Sequence, residues 1–233
     1  MAYFEIRKNT IWNSALPNDQ KSNEIISSLT HFIGAILSVA GLVLLIVFSS
    51  LYGNATKIVG FSVFGAGLTL LYFASAIYHF ISKGHRAKPI FKIIDYSMIY
   101  VLIASTYTPL MLAIPERSWG WSMFGIVWGM AFVGIMFRIF QKTNNNWFSS
   151  SLFIFMGWLA VIIIPILLKS VPLSGLWWLI IGGIFYTVGV IFFALEKKFP
   201  RNGWFGMHEI FHLFVMAGSF SHFWFMFKYV LYV

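Results

Sequence analysis

Two histidines near the C-terminal end of the chain are spaced as metal ligands can be. His208 and His212 stand four residues apart in an apolar stretch, and on a helix that spacing puts both imidazole rings on one face. Such a pair is a common way for one helix to supply two metal ligands, although a pattern of two histidines also arises by chance. With Glu209 the stretch matches His-Glu-x-x-His, the zinc protease signature in which the glutamate is the general base.

An intramembrane metalloprotease is therefore one candidate. A zinc protease normally needs a further acidic or histidine ligand downstream of its motif. The two aspartates of the sequence, Asp19 and Asp95, both lie upstream of it. This placement counts against the protease.

Further polar groups lie in other apolar segments, where ionisable residues are costly and are candidates for function. They include His79 and Asp95, and Ser75 shares a helical face with His79, about 6 Å along the axis. A third histidine from another helix, with a water, would complete an open catalytic zinc site. The chain has no cysteine, so the ligands are nitrogen and oxygen atoms, which favour zinc only weakly over iron or copper.

Four other residues are candidates for supporting roles, namely Glu24, His31, Glu209 and His222. Each has an ordinary alternative. An intramembrane histidine such as His31 or His222 is commonly a hydrogen-bonded packing residue. Glu209 can be an acid at a helix start, where the helix dipole favours negative charge.

The composition identifies the elements that must position these residues. Of 233 residues, 59% are hydrophobic and only 10% are charged, against about 25% charged residues in soluble domains. The net charge of +9 comes from lysines and arginines in short connectors, not from one basic face, so we expect no nucleic-acid partner. The chain is predicted to be an all-α, polytopic membrane protein.

Seven segments are long and apolar enough to cross about 30 Å of hydrocarbon as helices. We predict a cytoplasmic N-terminal segment, 1–24, and a transmembrane domain, 25–233. The predicted spans lie near 27–50, 57–81, 92–114, 120–140, 148–168, 175–196 and 206–228.

The connector charges predict the orientation. One side of the membrane receives 12 of the 16 lysines and arginines, and the other side receives only Lys57, Arg117, Lys169 and Lys228. The positive-inside rule then places the N-terminus in the cytoplasm and the C-terminus outside. In this topology His79, Asp95, His208 and His212 all fall at the cytoplasmic ends of their spans. The sequence therefore predicts one polar site, built by several helices.

At these residues the sequence resembles the hemolysin III proteins, the bacterial branch of the progestin and adiponectin receptor family. The resemblance runs from Glu24 to about Phe227. It is carried by 75–79 (SAIYH), by Asp95 with 100–109 (YVLIASTYTP), by 157–160 (GWLA), and by 208–212 (HEIFH) with His222.

The resemblance implies a seven-helix bundle in the bacterial plasma membrane with a zinc ion facing the cytoplasm. By analogy His79, His208 and His212 would hold the zinc, Asp95 would reach it through a water, and Ser75 would lie close by. The resemblance also extends to a wider group of membrane proteins that includes alkaline ceramidases, for which hydrolysis of a lipid amide has been proposed. The receptor branch usually has glutamine where this chain has Glu209, which puts the transfer of its activity in question.

The leading hypothesis is a zinc-dependent hydrolase of a membrane lipid, cleaving an amide or ester, or a regulator of membrane lipid homeostasis. Asp95 and Ser75 are the catalytic candidates. The main alternative is a receptor or sensor in which zinc only ties helices together. A cytolysin fits poorly with a chain that is hydrophobic along nearly its whole length. A transporter stays open, although we find no internal repeat.

Overall fold

The computed structural model describes residues 24–113, 115–141, 147–196, 198–199 and 205–233, and within these residues the fold is all-helical. Its α-helices are α1 (Ile25–Tyr52), α2 (Ala55–Phe80), α3 (Lys88–Ala113), α4 (Arg117–Phe140), α5 (Trp147–Trp158), α6 (Ala160–Leu167), α7 (Leu173–Leu195) and α8 (Met207–Lys228). A 3₁₀ turn, Val230–Tyr232, follows α8.

The seven predicted spans are confirmed. Seven helices of the described residues are long and apolar enough to cross a membrane, with α5 and α6 counted together as Trp147–Leu167. Of the predicted segment 1–24, residues 1–23 lie outside the described residues. The third span begins at Lys88 rather than near residue 92, because the Lys88 side chain is buried and its charge is paired.

Apolar side chains cover the outer surface of the bundle. Leu37, Phe132 and Phe155 lie in the interior of three different membrane spans, and they are 60%, 62% and 59% exposed. A soluble protein rarely exposes such a continuous apolar surface. Because lipid cannot hydrogen-bond the backbone, each span satisfies its peptide groups internally as a helix.

The helices form a closed bundle in chain order. Helix α1 packs along α2, α2 along α3 and α3 along α4, while α7 packs along α8 and α8 returns to α1. One end of this bundle collects the start of α1, the end of α2, the start of α3, the end of α7 and the start of α8. We call it the site end, since it gathers most of the candidate residues.

The fifth span is interrupted at Leu159, between α5 and α6. The Tyr107 hydroxyl of α3 lies 2.8 Å from the carbonyl oxygens of both Met156 and Gly157. A side chain that competes for helical carbonyls in this way is a recognised cause of a break.

Candidate metal centre and cavity

Three histidines meet at the site end of the bundle. His79 comes from the last turn of α2, and His208 and His212 come from the first two turns of α8. One ring nitrogen from each lies within 4.8 Å of the other two. The Nε2 atoms of His79 and His208 are 3.1 Å apart. The i, i+4 pair on α8 and the histidine of α2 therefore come together as the sequence predicts.

In each of the three rings, Nδ1 lies within hydrogen-bond distance of an oxygen atom of a neighbouring side chain. His79 Nδ1 lies 3.2 Å from Glu24 Oε2, and His208 Nδ1 lies 3.1 Å from Glu196 Oε2. His212 Nδ1 lies 3.2 Å from the Thr30 hydroxyl. That hydroxyl donates its own hydrogen to Ser27 O at 2.9 Å, so it accepts from His212.

These partners assign the proton of each ring. A carboxylate only accepts hydrogen bonds, so each Nδ1 carries the hydrogen and each Nε2 presents a lone pair. Two such lone pairs 3.1 Å apart repel unless a proton or a metal ion lies between them. Histidine metal ligands characteristically donate their other N–H to a carboxylate or another oxygen. The donor set therefore fits a metal ion, and three nitrogen ligands suit zinc.

Lys88 supports this arrangement from the start of α3. Its Nζ donates to Glu24, to Tyr78 O at 2.7 Å and to Ile81 O at 3.0 Å. Burial by itself raises the pKa of Glu24, but the hydrogen bonds from His79 and Lys88 outweigh it and lower this pKa to about 2. Glu24 is therefore a carboxylate at neutral pH.

Glu196 is more exposed than Glu24. Its side chain is 46% exposed, against 20% for Glu24. Burial raises the pKa of Glu196, and the hydrogen bond and charge of His208 lower it by more. Both carboxylates thus keep their negative charge beside the histidines.

Asp95 and Ser75 lie beside the cluster rather than in it. The group of ligand atoms within 4.8 Å holds only the three histidines among the described residues. Asp95 and Ser75 line the same cavity as His208 and His212, and the buried Ser75 hydroxyl hydrogen-bonds the Asp95 side chain. The structure therefore places a carboxylate next to the cluster without making it a ligand.

A cavity of about 300 Å³ runs from this cluster into the bundle. Most of its walls come from α3, α5, α6, α7 and α8 and are aliphatic and aromatic, and His31 of α1 and Leu71 and Ser75 of α2 complete the lining. Along α8 the lining extends from His208 to His222, which is about 21 Å of helical rise. The space is therefore elongated along the bundle axis, apolar along its length and polar at the cluster.

His31 packs against the cluster. Its ring stacks on that of His212 with centroids 3.5 Å apart, and it meets Tyr72 edge-on at 5.1 Å. It is 3% exposed, and neither of its ring nitrogens has a hydrogen-bond partner among the described residues. This stacking places its ring beside a ligand ring, outside the three-histidine group.

Glu209 does not reach the cavity, despite its position in the His-Glu-x-x-His sequence. It is fully buried, accepts from the Ser27 hydroxyl, and accepts from the Gly206 N–H at 2.8 Å. Both carboxylate oxygens thus serve the start of α8 and its contact with α1. This geometry counts against the general-base role of a zinc protease, because both carboxylate oxygens of Glu209 already accept hydrogen bonds and Glu209 is not among the residues that line the cavity.

Three site residues are not anticipated by the sequence reasoning, namely Thr30, Lys88 and Glu196. A signal exists for Glu196, since it ends the span before α8 and so lies at the same membrane depth as His208. A similar signal exists for Lys88, because it is the first residue of α3 and therefore lies at the same membrane depth as the end of α2. Nothing local distinguishes Thr30 from its neighbours, because its role depends on the register between α1 and α8.

Comparison with known proteins adds independent information. A family model described as Haemolysin-III related matches residues 19–223. Hemolysin-3 of Bacillus cereus is 41% identical over 208 residues, which cover 89% of this chain and 92% of that protein. The Hemolysin-3 homolog of Bacillus subtilis is 42% identical over 196 residues, or 84% of this chain and 89% of that protein. The human monocyte to macrophage differentiation factor is 26% identical over 172 residues, which cover 72% of this chain and 69% of that protein.

Proposed function

This chain belongs to the Haemolysin-III related family of multi-pass membrane proteins, and we propose that it is a zinc-dependent hydrolase of a membrane lipid, acting on an amide or an ester. The observation that carries the proposal is the three-histidine cluster at the polar end of an elongated apolar cavity, with Asp95 beside it. An acyl chain fits such a cavity, since it is lined by apolar side chains along the bundle axis.

The three histidines would hold the zinc ion through their Nε2 atoms. Glu24, Glu196 and Thr30 support this assignment, because they hold all three rings in the orientation that leaves Nε2 free. A bound zinc ion supplies Lewis acidity, which polarises a carbonyl group and makes water a nucleophile near neutral pH.

The remaining chemistry falls to residues of the chain. Asp95 would accept the proton of the attacking water and return it to the departing nitrogen or oxygen of the lipid. Ser75 would act as a positioning residue, because its hydroxyl hydrogen-bonds Asp95. The apolar walls would bind the acyl chain and exclude water from the scissile bond.

Metal analysis of purified protein tests the zinc site. We expect about one zinc per chain in the wild type and loss of that zinc in His208→Ala. His85→Ala is the matched control, because His85 is exposed and outside the cluster. Equal and negligible zinc in the wild type and in His208→Ala would refute the site.

Turnover of a lipid panel tests the hydrolase. Fluorescent ceramides and phospholipids would be incubated with the zinc-loaded protein and with Asp95→Asn, which removes the proposed base. We expect product release by the wild type and a loss of about 100-fold or more in Asp95→Asn with zinc retained. Unchanged turnover in Asp95→Asn would show that Asp95 is not the base.

One observation favours a second candidate, a non-catalytic receptor or sensor with structural zinc. The three histidines come from α2 and α8, and the hydrogen bonds to their Nδ1 atoms connect α2 to Glu24, α8 to Glu196 at the end of α7, and α8 to Thr30 of α1. A zinc ion bound by the three rings would therefore hold these helices together. Zinc removal that lowers thermal stability strongly, in a protein that turns over none of the panel, would support this candidate instead.

A further inference from the structure

The cavity that begins at the three-histidine cluster stops before the opposite end of the bundle. Three helices follow it along its length, and each lines it over about 21 to 22 Å of helical rise. The lining stretches run from Asp95 to Leu110 on α3, from Phe193 to Leu179 on α7 and from His208 to His222 on α8. The three helices therefore agree on the depth of the cavity, which exceeds the thickness of one leaflet, about 15 Å of hydrocarbon.

Four residues mark the deep end of the cavity, because each is the last lining residue of its helix in the direction away from the cluster. We call them the floor, and they are Leu110, Ile164, Leu179 and His222. The floor joins two helices, since Nε2 of His222 on α8 donates to Leu179 O on α7 at 3.1 Å. A Cβ at Gly182 would lie 2.2 Å from His222 Cδ2, so the ring lies directly against the α7 backbone. His222 thus has the packing role that the sequence leaves open for it.

Leu110 separates the cavity from a second, much smaller space. That space has a volume of about 10 Å³, and its lining includes Leu110, Ala113 and Val230. Among the described residues Leu110 is the one that lines both spaces, and it is 1% exposed. A volume of about 10 Å³ barely holds one water molecule, so the second space becomes available to a ligand only when the Leu110 side chain is removed.

The second space is closed in turn by the segment that follows α8. Val230 and Val233 line it, and Val230 and Leu231 are 2% and 0% exposed. Lys57 at the start of α2 donates from Nζ to Leu231 O at 2.8 Å, which holds the segment against the bundle. The space beyond Leu110 therefore offers only a short extension of the cavity.

We propose that Leu110 sets the maximum length of the acyl chain that the cavity binds, and so acts as a specificity-determining residue. The proposal rests on the proposed function, because it takes the acyl chain of a lipid as the occupant, with its polar end at the histidines. Methylene groups between the cluster and the floor exchange one apolar environment for another, so each adds little to the affinity relative to the bilayer. A longer chain must displace close-packed side chains, and such overpacking is costly.

Equilibrium binding of a chain-length series tests this proposal in the wild type. Radiolabelled saturated fatty acids of about 12 to 26 carbons, a range that brackets the depth of the cavity, would be titrated onto the full chain in lipid nanodiscs. Empty nanodiscs correct for partition into the bilayer. We expect similar affinities, relative to the bilayer, up to a limiting chain length, and then a loss of about 10-fold or more within about four further carbons.

Leu110→Ala should move this limit to longer chains. It removes the carbon atoms beyond Cβ and connects the second space to the cavity, so we expect the limit to rise by about two to four carbons. Leu102→Ala is the matched control. Leu102 lines the same cavity and is 3% exposed, but it lies eight residues earlier on α3, about 12 Å nearer the cluster. The control should leave the limit unchanged.

Gly183→Leu should move the limit in the opposite direction. Gly183 lines the cavity on the face of α7 that also carries Thr187, one turn nearer the cluster than Leu179, and a Cβ there would meet nothing within 4 Å. The added side chain enters open space, so this variant tests the proposal even where Leu110→Ala fails to fold. Gly125→Leu is its control, because Gly125 on α4 has equally open surroundings and lies outside the cavity lining. A size-exclusion profile like that of the wild type shows which variants are folded.

The outcomes separate this proposal from the proposed hydrolase. Equal relative affinity at every chain length in the wild type overturns the proposal, even if lipid turnover is observed; a chain that leaves the cavity sideways between helices would give this result. A limit that Leu110→Ala leaves unchanged, or that Leu102→Ala moves as far, overturns the assignment to Leu110. A limit that moves as expected in a protein without turnover supports the floor and counts against the hydrolase.

Discussion

The rings of the three histidines differ in how firmly they are oriented. Glu24 is shielded and receives a hydrogen bond from the buried Lys88, whereas Glu196 is 46% exposed and reaches His208 across the surface. Thr30 offers a neutral oxygen to His212. Since a shielded carboxylate interacts more strongly with an imidazole N–H than an exposed one does, the α2 ligand is the most firmly held.

We therefore expect Glu24→Gln to weaken zinc binding more than Glu196→Gln does. Loss of the partner behind a metal-bound histidine typically costs 10- to 100-fold in affinity. We expect about that loss for Glu24→Gln and less than about 10-fold for Glu196→Gln, because water already screens the latter pair. Competition with a chromophoric zinc chelator measures both.

Glu116→Gln is the control for these variants. Its carboxylate pairs with the exposed Lys169, away from the cluster, so zinc affinity should not change. Equal zinc affinities of Glu24→Gln and the wild type would contradict the expectation that Glu24 holds its histidine more firmly than Glu196 does.

The residues of the site were predictable to different extents. His79, His208 and His212 could be placed together because the ends of their spans follow from hydropathy and connector charge. The orientation of the Glu209 side chain could not be predicted. Its match to a protease motif gives no information about the Ser27 hydroxyl and the Gly206 N–H, which donate hydrogen bonds to its carboxylate. A side chain's direction depends on the register between helices, which spacing within one helix does not encode.

At the scale of the helices, local sequence determined the number of spans, and Pro165 predicts a kink in the fifth, but the break lies at Leu159, six residues before that proline. Apolar length alone predicts 148–168 as one element, and the structure ends α5 at Trp158 and resumes at Ala160. The hydroxyl that competes for the carbonyls comes from Tyr107 on α3. A contact made by a distant residue is outside the reach of a hydropathy window.

Helix packing in this bundle depends on close approaches at particular glycines. On α4, a Cβ at Gly134 would lie 2.4 Å from the Tyr100 ring, which is fully buried and has no room to move, while a Cβ at Gly125 would meet nothing within 4 Å. Small residues permit such approaches between membrane helices.

We expect Gly134→Ala to destabilise the protein by about 1–3 kcal/mol, as overpacking of a core does. Gly125→Ala on the same helix should leave stability unchanged or slightly raised, since alanine has the higher helix propensity. Thermal unfolding in one detergent compares the two variants directly. Similar melting temperatures for both would contradict the close α3–α4 contact.

At the scale of the whole molecule, the site, its cavity and the connector charges together define an axis. The cluster lies at the end where α1 begins and α2 ends, and the cavity extends from it into the hydrocarbon region. A lipid would then enter with its polar bond at one membrane face and its chain toward the midplane. The positive-inside rule assigns that face to the cytoplasm, and this assignment decides which leaflet supplies the lipid.

Cysteine labelling measures the orientation, and the absence of native cysteines leaves no background. Gly84→Cys lies in the α2–α3 connector at the site end, exposed and with open space around it, and Lys169→Cys lies exposed between α6 and α7 at the opposite end. Because 12 of the 16 lysines and arginines lie on the side of Gly84, a membrane-impermeant maleimide should label Lys169→Cys in intact cells. It should label Gly84→Cys only after the membrane is opened. The reverse pattern would place the three-histidine cluster at the outer face of the membrane, and the lipid would then come from the outer leaflet.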